Sequence, residues 1–161
     1  MLILLRHAEP RRSEADPELT SAGHAMARQA ASWAWSWVRS PQPYLLHTAT
    51  RRTEQTADAV TECAERPMQR RTLESLAEDC IGLCRLHDQT VGRHPDFPHR
   101  TIEDVIVVGH HTSFSGMIPD LPPLPQSLDL RRYCVGLVLV RSDSHPSGWQ
   151  VTAQYPGHLP S

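Results

Sequence analysis

Three short apolar runs, "LILL" (2–5), "YLLHT" (44–48) and "DVIVVG" (104–109), each stop abruptly at polar residues. Runs of this length bounded this way predict fully buried strands. Between the first two, "DPELTSAGHAMARQAASWAWSWVRSP" predicts a loop and then a long helix, capped by Thr20 or Ser21 and closed by Pro41. Met26, Ala30, Trp33 and Trp37 recur there at spacings of three and four, an apolar stripe read as core packing. "TRRTEQTADAVTECAER" predicts a second helix with Ala57, Val60 and Ala64 on one side. "MQRRTL" (68–73) predicts a weak strand, 76–93 a mixture of loop and helix, and 112–118 a brief helix. "PDLPPLPQ" is a stiff irregular connection, because four prolines in eight residues fit neither helix nor central strand. "CVGLVLVR" and "WQVTAQY", joined by "SDSHPSG", predict an antiparallel hairpin.

Strands alternating with helices require a sheet covered by those helices. The expected fold is therefore α/β: a single three-layer domain, 1–161, with a mostly parallel central sheet flanked by helices and a C-terminal antiparallel hairpin. A length of 161 residues suits one well-buried core. With 39% hydrophobic and 21% charged residues, the composition excludes disorder throughout. A net charge of −2 gives no electrostatic footprint for nucleic acid.

All sixteen basic residues are Arg, which removes every mechanism that needs a lysine. Cys63, Cys80, Cys84 and Cys134 form neither a disulfide framework nor a metal-site spacing. "MLILL" is too short for a signal-peptide core, and no run approaches the ~20 apolar residues of a membrane helix. The expected location is the cytoplasm, with no membrane partner.

The polar residues that end the strands carry the chemistry. Arg6 and His7 follow the first, Arg51 and Arg52 open the helix after the second, and His110 and His111 follow the third. In a parallel sheet these ends share one edge, where α/β proteins bind ligands. Clustered Arg and His repel one another unless an anion sits among them. Phosphate fits, because Arg presents a fork of donors to its oxygens and helix N-termini add N–H groups. A neutral imidazole is also a competent nucleophile toward phosphorus. With no Walker-type loop and no metal-ligand cluster in view, a route free of metals and cofactors is the economical one.

In these residues the chain resembles the histidine phosphatases, the phosphoglycerate-mutase-like superfamily. "RHA" (6–8) is similar to the family's Arg-His-Gly, and "LTSAG" (19–23) to its Leu-Thr-x-x-Gly. "TATRRTEQTA" (48–57) resembles its Ser-Pro-x-x-Arg-Ala-x-Gln-Thr-Ala segment, and "VVGHH" its second-histidine strand. "LAEDCIG" (76–82) resembles the segment that carries a proton donor. The resemblance implies His7 as nucleophile, Arg6, Arg52 and His110 as phosphate ligands, and Glu78 as the acid. His111, standing where the family has Gly, would either crowd the pocket or act as an additional phosphate donor.

Fewer than sixty residues separate the second motif from His110, which leaves no room for the helical insertions that enclose sugar phosphates in the mutases. A shallow pocket is expected, suited to a phosphorylated side chain on another protein; the expected partner is a phosphorylated protein, carrying phosphohistidine, or a small phosphorylated metabolite. The implied activity is metal-independent phosphatase action through a phosphohistidine intermediate. The alternative is a non-catalytic phosphate-recognition module on the same fold.

Overall fold

The computed structural model describes residues 1–12, 15–74, 104–115, 128–142, 144 and 148–158. Six strands form one sheet: β1 (Leu2–Arg6), β2 (Tyr44–Thr48), β3 (Gln69–Leu73), β4 (Val105–Gly109), β5 (Gly136–Arg141) and β6 (Trp149–Tyr155). Their spatial order is β3-β2-β4-β1-β5-β6. The first four are parallel neighbours, and β5 and β6 run antiparallel at one side, as the sequence predicts. Arg6 lies level with Gly109, and His47 with Val108, so β1, β2 and β4 end at one height. That shared edge is what brings their trailing polar residues together.

Alternation within the strands divides the core. Ile3, Leu5, Leu45, Ile106 and Val108 face the helices α1 (Ser21–Trp37) and α2 (Arg51–Glu62). Leu2, Leu4, Leu46, Val105 and Val107 face the other way, against Phe114 of α3 (His111–Ser115) and Leu130. Strands apolar on both faces belong in the middle of layered α/β domains. Among the described residues, no helix is long and apolar enough to cross a membrane.

Two details depart from the sequence reading. Helix α1 ends at Trp37, four residues before Pro41, with Val38 already extended. Buried Asp104 explains the stop: its Oδ2 accepts the backbone N–H groups of Arg39 at 2.6 Å and Ser40 at 2.7 Å, pulling the chain out of helix. The buried side of α1 is also rotated from the expected stripe. Gly23, Ala27, Ala30, Ala31, Ala34 and Trp35 are buried, while Met26, Trp33 and Trp37 are half-buried at the margin of the core. Small residues let α1 approach α2 closely, and Trp35 Nε1 donates to Val60 O at 2.7 Å across that contact. The brief helix expected at 112–118 starts at His111 and is described as far as Ser115; 116–118 lie outside the described residues.

The start of α1 also shapes the loop after β1. Thr20 caps the helix, accepting from Gly23 N at 2.8 Å, while its own N–H donates to Glu9 O at 3.0 Å. Glu9 O passes so near Gly23 that a Cβ there would lie 2.2 Å from it. Gly23→Ala must therefore move the backbone two residues beyond His7. We expect a loss of at least about 2 kcal/mol, seen as a lower Tm and urea midpoint.

Candidate active site

At the end of β1, His7 is buried, held through its backbone N–H on Gly109 O (2.9 Å) and its carbonyl on Cys134 N (3.2 Å). Its Nδ1–H donates to Ala8 O at 2.8 Å. A carbonyl only accepts, so Nδ1 carries the proton and the lone pair of a neutral ring lies on Nε2. Burial pushes the His7 pKa down to about 3; the Ala8 bond opposes this, and the charges of Arg6, His110 and Arg52 add to it. The imidazole is therefore neutral across the physiological range. The His110 ring stands edge-on to it, centroids 5.2 Å apart.

Arg6 leaves β1 beside it. Its Nη1 donates to the carbonyls of Leu130 and Arg131, and its guanidinium carbon lies 4.7 Å from the centre of the Tyr133 ring. The Tyr133 ring lies 5.9 Å from His7 as well, so one aromatic residue supports both. Arg6 Nε is buried without a hydrogen-bond partner among the described residues. Cys134, next to Tyr133, takes a positive φ of 56° to direct its N–H at His7 O. A paired bridge between Tyr133 and His158 holds this turn. Sequence reasoning missed Tyr133, and only its place just before the hairpin marked it.

Helix α2 ties the rest together. Thr56 Oγ1 donates to Arg52 O at 2.6 Å and accepts from Ala8 N at 3.0 Å, and Gln55 Oε1 accepts from Leu19 N at 2.7 Å. The "EQT" of the second motif thus fixes the loop behind His7 onto α2. Arg52 is partly buried, with Nη1 3.6 Å from Asp16 Oδ1. Arg51 is exposed and paired with Glu18 at 3.3 Å, while its backbone N–H donates to Asp16. Burial lowers the His110 pKa, and the charges of Arg52 and Arg6 lower it further while Asp16 opposes them.

The structure therefore gathers Arg6, His7, Arg52 and His110 at one sheet edge. His111 opens α3 half-buried, its ring making no hydrogen bond among the described residues. Glu78 lies outside the described residues, as does most of the stretch between the second motif and His110 on which the expected shallow pocket depends. A missed feature is a hydroxyl cluster, Thr48, Thr50 and Thr53, beside His110.

Solved structures share this architecture. The SixA protein of Agrobacterium tumefaciens aligns with a TM-score of 0.67 at 20% identity, covering 96% of this chain and 95% of its own. The protein histidine phosphatase SixA complexed with tungstate aligns at 0.67 and 18% identity, covering 95% and 94%. The mycobacterial glucosyl-3-phosphoglycerate phosphatase complexed with VO3 aligns at 0.64 and 16%, covering 94% and 97%. At such identities the likeness is one of fold. No match to a curated protein sequence was found. A family model extending from Leu2 to His110, across both strand-end histidines and the α2 arginine between them, places this chain in the histidine phosphatase superfamily, branch 1.

Proposed function

We propose that this chain, a phosphatase of that superfamily, transfers a phosphoryl group to His7 Nε2 and then to water. The observation that carries the reading is the His7 ring itself: buried, neutral, proton committed to Ala8 O, and set among Arg6, Arg52 and His110. In the first step the Nε2 lone pair attacks phosphorus and the bond to the leaving group breaks. In the second, water attacks phosphorus and the P–N bond returns its electrons to His7. The protein's part is positioning and charge stabilisation around the equatorial oxygens. Arg6 Nε is a buried donor that a phosphoryl oxygen would satisfy. Arg52 supplies a second forked cation. Glu78 is the proposed proton donor to the leaving atom, and His111 an additional donor to the phosphate.

The proposed substrate is protein phosphohistidine or a small phosphomonoester, since similar folds serve a protein histidine phosphatase and a glucosyl-3-phosphoglycerate phosphatase. A leaving imidazole needs less from a strong acid than an alkoxide does. Phosphate release should be measured from a phosphohistidine protein and a panel of small phosphomonoesters. Faster turnover of the phosphoprotein is expected. Phosphate binding without release from any member would instead make the chain a recognition module.

A further inference from the structure

The hydroxyl cluster beside His110 has a direction, and the direction bears on the proton that His110 presents. Thr53 Oγ1 lies 2.7 Å from Thr48 O and 2.8 Å from Thr50 O, two carbonyls that only accept, so its proton is committed to them. Thr48 Oγ1, 3.1 Å from Thr53 Oγ1, is then the donor in that contact. With its own proton spent, Thr48 Oγ1 offers lone pairs to His110 Nε2 at 3.1 Å. Nε2 must therefore carry a hydrogen.

The backbone behind this contact is tied down by further hydrogen bonds. Thr48 O also accepts the Nδ1–H of buried His47 at 3.0 Å. His47 Nε2 in turn accepts from Arg70 Nε at 3.0 Å, and Arg70 is fixed by Asp58 and the carbonyl of Glu54. Thr48 and Thr53 are themselves buried. Strands β2 and β3 and helix α2 thus hold the Thr48 hydroxyl in place.

We infer that Thr48 is a positioning residue that keeps a proton on His110 Nε2, so that the bound phosphoryl group makes His110 take up a second proton at Nδ1. This rests on the phosphate-site reading above. With Nε2 occupied by Thr48, Nδ1 is the ring nitrogen left for an oxyanion, and it makes no hydrogen bond among the described residues. In the neutral ring that Nδ1 is a lone pair, which repels a phosphoryl oxygen. One proton from solvent converts the ring to imidazolium, with Nε2–H on Thr48 and Nδ1–H on the oxygen, and no other bond changes. Around His110, burial and the charges of Arg52 from α2 and Arg6 from β1 disfavour the cation, while Asp16 of the loop before α1 favours it; the neutral His7 ring stands edge-on beside it. An arriving dianion reverses that balance, whereas a neutral ligand would not.

The test is the protonation pattern of His110, read by long-range proton–nitrogen NMR on histidine-labelled protein at pH 7.5. The probe is tungstate, a tetrahedral dianion, and the signal is assigned by its loss in His110→Gln. The expected result is an Nε2–H tautomer in the free protein and a doubly protonated ring in the complex. Thr48→Val should lose the tautomer preference and bind tungstate at least about tenfold more weakly, whereas Thr48→Ser should restore both. An Nδ1–H tautomer in the free protein, or a ring that stays neutral in the complex, would overturn the inference even though tungstate binds. Wild-type protein that binds no tungstate would overturn the phosphate-site reading itself, and the inference with it.

Discussion

Replacing His7 with Ala is expected to lower phosphate release by a factor of about 10⁴ or more, because the bond-forming atom is removed rather than weakened. Incubation with radiolabelled substrate should yield an acid-labile phosphoenzyme in the wild type and none in the variant. Turnover in His7→Ala within about tenfold of wild type would end the nucleophile assignment. The same variant carries a signature in stability. Native His7 has a pKa pushed down to about 3 by burial, against 6.5 ordinarily. As pH falls below 6.5 the unfolded chain takes up a proton there and the native protein does not, so native stability declines. At pH 5 this one group costs about 2 kcal/mol relative to pH 7.5. His7→Ala should therefore lose less stability than wild type between those pH values, in urea melts at each. Equal losses would mean that the imidazole is not buried neutral in solution.

The legible part of this protein was whatever a short periodic pattern could encode. Strands β2 and β6 follow the bounds expected of them, β2 as a short, largely apolar buried segment and β6 as one that alternates apolar and polar residues on a half-covered edge. The edge that collects Arg6, His7, Arg52 and His110 follows from parallel connectivity, which the alternation of elements implies. Contacts between segments distant in sequence were not legible. Nothing local says that Asp104 ends α1 by capturing Arg39 N and Ser40 N across the sheet edge. Nor does anything near Arg6 point to Tyr133, more than a hundred residues away, as the ring against which it stacks. The threonines of α2 were visible as a motif. Their work, as acceptors and donors that fasten His7's loop and Thr48, needed three-dimensional distances.

Exchanging Arg52 and Arg51 in turn for Ala should test the assignment of the phosphate ligand to Arg52 rather than to its neighbour. Arg52→Ala is expected to lower kcat/KM by a factor of about 10²–10³, the scale of one lost donor to a developing oxyanion. Arg51→Ala should stay within about threefold of wild type, because an exposed ion pair contributes little. The geometry sets the difference. The Arg52 side chain is 23% exposed and its charge acts on both His7 and His110, whereas Arg51 is 56% exposed and faces Glu18. Arg52→Lys should recover only part of the loss, since an ammonium restores charge without the fork that binds two oxygens at once. Removing Arg52 also withdraws a cation that disfavours protonation of both imidazoles, so the variant's His7 and His110 pKa values should rise in an NMR titration. Activity lost in Arg51→Ala and kept in Arg52→Ala would move the phosphate site one residue along α2, to the side that faces Glu18. A loss in both would mean that the N-terminus of α2 binds the oxyanion as a unit, with Asp16 as the group it must release first.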